Sequence, residues 1–287
     1  MGEASIPVDP ANPGQVFACL GLMEIAEMLS GGAEGSFDLA MPERFDLRTS
    51  GASNPVADVL RFLIESEVHV FSPAGEAESF GKDSVFDHHP AYPRQTYPYG
   101  DRGARDRFPA VLRRGEQLVV IDHWADAARA DAMKFWAGAG GYPGVALTRD
   151  ALALLPRRQE DLRDDPVNFA AEQSSSFRFD WRRDYVPIHA GFSPNRHGGV
   201  VMVGYPVVEL LAAIGLRHAR PERESRLHYR YRIWGSFLTL PLARAALGTR
   251  DPLWPGLPRR QFRMTLDWPG QEGQAKCITR VDEETPT

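Results

Sequence analysis

Cysteine, lysine and long apolar runs are what this chain has least of. Only Cys19 and Cys277 occur in 287 residues, far apart and each in an apolar setting. A disulfide framework or a thiolate metal site needs more cysteines at closer spacing, so two buried free thiols in a reducing cytosol are expected. Lysine is confined to Lys82, Lys134 and Lys276 among 33 basic residues. The positive charge is therefore arginine, whose planar fork grips phosphate and stacks on bases. A GC-rich coding sequence would enrich arginine as well. No run of about 18 apolar residues is present, which excludes a membrane-spanning helix. The opening Met1 to Pro7 lacks the basic and apolar regions of a secretory signal.

Catalytic signatures are equally sparse. No HExxH, GxSxG or CxxC occurs. Gly75 to Gly81-Lys82 resembles a phosphate loop, but the gap is one residue too long, and Asp83 stands where a magnesium-binding Ser or Thr belongs. Gly138, Gly140 and Gly144 follow an expected helix rather than a strand, so the dinucleotide fingerprint fails. Asp87-His88-His89 echoes a metal phosphoesterase, yet the further ligands that a metal needs are missing. His123, His189, His197, His218 and His228 are scattered. No catalytic residue, metal or cofactor is expected.

What is present suits a globular protein: 43% apolar and 25% charged residues, with ample length for a core. The net charge of −5 hides an asymmetry. Residues 177–271 hold 15 arginines against seven acids, a net of +8, so the remainder carries −13. Such asymmetry points to a nucleic-acid face on an acidic carrier.

A short strand is expected over 5–9. Asn12-Pro13 then caps a helix over 14–29 that ends at Gly31-Gly32. That helix is apolar almost all round, so it should be buried. Strands follow near 35–39 and 44–48. Asn54-Pro55 repeats the cap and opens a helix to about Ser66, before a strand at 67–72. Residues 73–116 read as one long loop, and Gln117–Ile121 as a strand. Helices are expected over 127–137, 148–155 and 157–172, broken near Pro156 and Pro166.

The most informative stretch is 177–216. Phe177, Phe179 and Trp181 alternate with Arg178, Asp180 and Arg182, which predicts a half-buried strand. A polar loop, Ser193 to Gly199, leads into an apolar strand at 200–203 and a helix from Pro206 to Gly215. The loop is either solvated or a close-approach surface for a ligand. Lys134, in an aromatic helix end, either snorkels or presents an ammonium to phosphate. Farther on, Leu227, Tyr229, Tyr231 and Ile233 share one face of a strand, and Arg226, His228, Arg230 and Arg232 share the other. The recurrence of about 6.6 Å suits a sugar–phosphate backbone; the alternative is a solvated face. Few acids are expected to pair with these arginines. Gln261–Trp268 repeats the pattern, and the tail at Asp282-Glu283-Glu284 reads as disordered. The fold class is α+β: mixed, with a C-terminal, largely antiparallel sheet, several packed helices and no C-terminal helical bundle, in one domain over 1–287.

Val8 to Leu22, Lys134 to Gly138, Gly191 to Asn195 and Tyr205 to Leu216, in that order, resemble the short large-subunit family of type I-U (also called I-G) CRISPR effector complexes. The resemblance implies a non-catalytic, cytoplasmic subunit of a Cascade-type complex that lies near the crRNA 5′ handle. It would recognise the protospacer-adjacent motif (PAM) in target double-stranded DNA and offer a landing surface to the helicase–nuclease. In such systems base pairing reads sequence, while protein reads the PAM and duplex shape. Partners would be the crRNA, the CRISPR backbone and processing subunits, and a separate small subunit if that chain supplies the bundle absent here. By the same analogy Ser193, Asn195, Arg196 and His197 are the PAM-reading candidates, Asn195 foremost. Lys134, Arg178, Arg182, Arg183, Arg226, Arg230 and Arg232 are the phosphate contacts. Competing readings are an RNA-processing nuclease using His88, His89 or His123, and a scaffold without nucleic acid.

Overall fold

A computed structural model describes residues 1–51, 53–72, 79–80, 84–85, 88–89, 108–124, 144–162, 165–173, 175–185, 202–267 and 276–284. The chain begins with β1 (Gly2–Pro7), α1 (Pro13–Ser30), β2 (Glu34–Asp38), β3 (Arg44–Thr49), α2 (Pro55–Ile64) and β4 (Glu67–Phe71). Three short strands follow: β5 (Ser79–Phe80), β6 (Ser84–Val85) and β7 (His88–His89). Then come β8 (Ala110–Arg114), β9 (Gln117–Ile121), α3 (Gly144–Ala153), β10 (Ala171–Glu172), β11 (Val203–Gly204) and α4 (Pro206–Gly215). The last third holds β12 (Glu222–Arg223), β13 (His228–Trp234), β14 (Leu238–Thr239), α5 (Leu240–Gly248), β15 (Arg259–Asp267) and β16 (Cys277–Glu284).

Three four-stranded sheets surround the helices, in the orders β1-β3-β2-β14, β7-β4-β8-β9 and β12-β13-β15-β16. All their pairings are antiparallel except β4 with β7. The fold is α+β, its C-terminal sheet is antiparallel, and no helical bundle follows among the described residues. No helix of these residues is long and apolar enough to cross a membrane.

Helix α1 is the hub, touching α4, α2, α5 and β3. Its first residues are set by Asn12, whose Oδ1 accepts the Gly14 N–H at 3.1 Å, with Pro13 at the first helical position. It stops at Gly31, in the left-handed region at φ 68°. Every residue from Pro13 to Met23, with Ile25 and Ala26, is buried. A helix apolar almost all round is what such a position demands. Asn54 caps α2 in the same way, accepting from Ala57 N at 3.0 Å.

Helix α4 crosses α1 at two glycines. A Cβ at Gly21 would run into the Leu211 carbonyl, and one at Gly215 into the Phe17 carbonyl. Backbone therefore lies on backbone, and the crossing tolerates no side chain there. Tyr231 reaches α1 from β13, edge-on to Phe17 with centroids 5.9 Å apart, and its hydroxyl donates to Pro10 O at 2.7 Å.

Four expectations are corrected. Residues 177–182 form no strand: Phe177 and Phe179 are buried as the alternation requires, but Arg178 is left-handed at φ 63°. The Ser176 hydroxyl takes the Arg178 N–H, the Asp180 carboxylate takes the Arg182 N–H, and a 3-10 turn follows over Trp181–Tyr185. Side-chain acceptors have replaced the ladder partner. The described residues of 157–172 form no α-helix, only 3-10 turns at Gln159–Leu162 and Pro166–Asn168, and Pro166 starts its own turn. Strand β8 falls inside the expected 73–116 loop. The acidic tail is not disordered but pairs in β16 against β15, with Asp282 opposite Arg263. The expected helix at 127–137 and strand residues 200–201 lie outside the described residues.

Gly21→Ala tests the crossing. Helix propensity alone would favour alanine by about 1 kcal/mol. Overpacking against the Leu211 carbonyl should reverse the sign and cost about 3 kcal/mol, read from the midpoint of denaturant unfolding.

Candidate nucleic-acid interface

The C-terminal sheet presents its arginines as the period of two dictates, but acids meet most of them. Tyr229, Tyr231 and Ile233 point inward and are buried. On the other face, Arg230 Nε donates to Glu284 at 2.7 Å, and its Nη2 lies 3.3 Å from Glu224. Arg263, directly opposite Arg230, bonds Glu224 at 2.8 Å. Arg232 is 2% exposed and bonds Glu222 at 2.6 Å. Arg260 bridges Glu283 and Glu43 at 2.7 and 2.8 Å. The expectation of few pairing acids is therefore overturned. Those acids lie on β12, on the turn after it, on the tail strand and, for Glu43, just before β3.

These pairs leave electrostatic marks. The hydrogen bond to Glu284 pushes the Arg230 guanidinium up. Hydrogen bonding from Arg260 holds the Glu283 carboxyl below its ordinary range. At Glu284 burial works the other way, but hydrogen bonds from Arg230 and Gln261 still draw the carboxyl down.

At the β12–β13 end the balance differs. Arg223 and Arg226 are exposed, and Lys276, just before β16, is half-buried. The Lys276 ammonium is pushed down by burial and then by the charges of Arg226 and Arg223. Like charges gathered at one corner raise the local potential for an anionic partner. Arg226 was a candidate from the sequence; Arg223 and Lys276 were missed. A signal was available for Lys276, since it is one of only three lysines and precedes a strand.

The arginines of 177–185 turn inward. Arg182 donates its Nε and Nη2 to the two Asp180 oxygens at 2.9 and 2.6 Å, and reaches the Val167 carbonyl at 2.8 Å and the Asn168 side chain. Its guanidinium stacks 3.5 Å from the Tyr205 ring centroid. Burial opposes its charge, yet Asp180 outweighs that and raises its affinity for the proton. Arg183 is 6% exposed and donates to Gln173 O at 3.4 Å. Arg178 is half-buried at the left-handed position. Arg182 and Arg183 tie the interior rather than lining an open basic face.

Asp180 is the centre of this network. It is fully buried, accepts from Asn12 Nδ2 at 3.0 Å, and offers its own N–H to Glu209 Oε1 at 3.0 Å. Glu209, in the first turn of α4, is also fully buried, and its Oε2 has no hydrogen-bond partner among the described residues. Burial pushes its carboxyl up to about 8; the Asp180 N–H opposes this, the Asp180 charge reinforces it, and Arg183 opposes it. Glu209 therefore holds its proton near neutrality. The network clamps both flanks of 186–201, the segment with the PAM-reading candidates. On one side are Asp180 and Arg182; on the other are Tyr205, Glu209 and Met202, whose carbonyl accepts from Gln173 N at 2.8 Å. Ser193, Asn195, Arg196 and His197 themselves lie outside the described residues, as does Lys134.

Of the histidines weighed for acid–base chemistry, His123 is 4% exposed and ringed by Trp124, Phe177 and Phe179, with centroids 4.8, 5.8 and 5.3 Å away. The backbone of His88 and His89 pairs with Val70 and Phe71 in β4. Among the described residues no group of His, Cys, Asp and Glu could hold a metal ion. Cys19 and Cys277 are buried and unbridged, and burial pushes the Cys19 thiol up. Compared with protein-family models, curated proteins and solved structures, the chain matches none.

The Glu209 carboxyl yields a pH dependence. Its folded pKa of about 8 exceeds the ordinary 4.5, so the folded state holds the extra proton. Its contribution to stability is complete below pH 4.5 and is lost as pH rises through about 8. Glu209→Gln, which keeps the amide shape without a titrating proton, should flatten that decline in denaturant unfolding measured from pH 5 to 9. An unchanged slope would mean that another group carries it.

Proposed function

We propose that the chain is a non-catalytic large subunit of a type I-U (I-G) CRISPR surveillance complex. In this reading it binds the crRNA 5′-handle region and the PAM duplex of target DNA, and presents a surface to the helicase–nuclease. The observation that carries the reading is the ordered resemblance of four segments spread along the chain. Two of them, Val8 to Leu22 and Tyr205 to Leu216, hold the cap and first ten residues of α1 and the whole of α4. A third, Gly191 to Asn195, runs between the flanks that Asp180 and Glu209 clamp. A reading loop needs such a clamp, because base-edge contacts depend on placement to within a fraction of an ångström.

Within this proposal the phosphate contacts are not equally favoured. Arg226, with Arg223 and Lys276, forms the corner where positive charge is concentrated. Arg230 and Arg232 already engage Glu284, Glu224 and Glu222, and a strand would have to displace those acids. Asn195, with Ser193, Arg196 and His197, remains the proposed PAM reader, and Lys134 a proposed phosphate contact.

Reconstitution tests the proposal directly. The chain is co-expressed with crRNA, backbone and processing subunits, and duplex binding is measured with and without a PAM. PAM dependence should appear only when the chain is present. A complex that assembles and discriminates PAM equally well without it would end the reading. Within the complex, Arg226→Ala combined with Lys276→Ala should lower the slope of log affinity against log salt by about 2, the loss of two phosphate contacts. Arg230→Ala alone should change affinity less than about threefold, because its charge is already paired. Asn195→Ala should instead weaken PAM duplex selectively; equal losses on both duplexes would remove its reading role.

A further inference from the structure

On the outer face of the C-terminal sheet, Arg230 of β13 and Arg263 of β15 stand directly opposite each other. Like charges so placed repel across the strands and weaken a sheet. Two carboxylates compensate. Glu224, in the turn after β12, bridges the pair: one oxygen accepts from Arg230 Nη2 at 3.3 Å, the other from Arg263 Nε at 2.8 Å. Glu284, at the end of β16, takes Arg230 in a fork, Nε at 2.7 Å and Nη2 at 3.4 Å. It also accepts from Gln261 Nε2 at 2.8 Å. Both arginines stay within reach of solvent, their side chains 26% and 35% exposed. Arg232, at 2% exposure, is out of reach and takes no part.

A solvated sheet face gains little from this arrangement. Exposed ion pairs stabilise a fold weakly, and an arginine opposite an arginine must first be compensated. What the residues do build is two guanidinium forks that converge on one anionic group from adjacent strands, a geometry suited to phosphate. Glu224 and Glu284 stand in the place of its oxygens. Either side chain can swing away with the backbone intact: Glu224 N–H stays on the His228 carbonyl, and Glu284 stays paired with Gln261. We propose that Arg230 and Arg263 form a site for the phosphodiester backbone of a nucleic-acid strand, and that Glu224 and Glu284 fill it in the free chain. The carboxylates set a threshold, because a nucleic acid reaches the arginines only by displacing two acids. One held nowhere else is turned away. One already engaged at Arg226, two residues before β13, meets the site at high local concentration and displaces them. The inference rests on the nucleic-acid reading above for its class of ligand.

The test follows binding of the full chain to a fluorescently labelled single-stranded RNA by anisotropy, across a series of salt concentrations. Glu224→Gln combined with Glu284→Gln keeps the side-chain shapes and frees both arginines. At low salt it should bind about tenfold tighter than wild type, with a salt slope steeper by about 1.4, the increment of two phosphate contacts on a single strand. Adding Arg230→Ala and Arg263→Ala to that variant should return affinity and slope to wild type. Glu116→Gln with Glu160→Gln removes the same charge from exposed positions elsewhere and should leave the slope unchanged. No gain in the first variant, a gain that survives loss of both arginines, or an equal gain in the control overturns the proposal. So does polyglutamate that displaces the RNA at equal charge concentration, which would assign the site to an acidic protein segment. Glu224→Gln alone leaves the tail-strand pairs intact and should shift affinity in the same direction by a smaller factor, so a folding defect in the double variant does not end the test. A chain that stays out of the surveillance complex yet shows these gains ends the subunit reading and keeps the site. A chain that enters the complex and shows none does the reverse.

Discussion

Helix α1 meets α4 with nothing but glycine between the two backbones, and most of the molecule is arranged by that contact. Close approach at Gly21 and Gly215 brings the N-terminal turn of α4 near the cap of α1. Asn12 and Glu209 are thereby placed on either side of Asp180: Asn12 donates to its carboxylate, Glu209 accepts from its backbone N–H, and Arg182 pairs with the carboxylate. Gly14 is constrained by the same geometry, since a Cβ there would strike the backbone of Phe179 and Asp180. The interior network at 180–183 thus follows from how closely two helices pack. The segment 186–201 is held at both ends as a result.

Arginine serves two purposes in this chain, and burial separates them. Where an arginine sits beside a buried carboxylate, as Arg182 does with Asp180, the two form a close pair inside the fold. Removing one partner would strand the other, which is costly. Where arginines gather near a lysine at a corner, as Arg223 and Arg226 do with Lys276, like charges act on one another at the surface. Between these extremes lies the outer face of the C-terminal sheet, where a strand rich in glutamate covers the arginines of its neighbours.

Much of the architecture was legible in the residues. Asn-Pro caps announced α1 and α2, an apolar circumference announced a buried α1, and alternation announced β13 and β15. What failed were inferences that treated each segment alone. Alternation at 177–182 placed Phe177 and Phe179 inward correctly but put the fully buried Asp180 outward, and it did not distinguish a ladder from side-chain acceptors at Ser176 and Asp180. Asp282-Glu283-Glu284 reads as a solvated tail until the strand that it covers is known to carry Arg260, Arg263 and, one strand on, Arg230. The same blindness hid the interior role of Arg182 and Arg183. Their partners, Asp180, Gln173 and Val167, are near in sequence, but their burial depends on α1, far away. Lys276 drew no attention because its neighbours, Arg223 and Arg226, are about 50 residues upstream.

The ties between the chain's two ends also bear on its synthesis. Trp234 donates to the Gly35 carbonyl at 2.8 Å, Tyr231 reaches Pro10, and Leu238–Thr239 completes the first sheet by pairing with Glu34–Gly35. Some 200 residues separate each donor from its acceptor. At ribosomal speeds of about 5–20 residues per second, the α1 segment waits roughly 10–40 s for the strands that cover it. Throughout that interval one of the most apolar stretches of the chain has no partner from its own C-terminal third. The nascent polypeptide is thus a natural client for a holding chaperone, and slowing elongation upstream of β13 would lengthen its exposure.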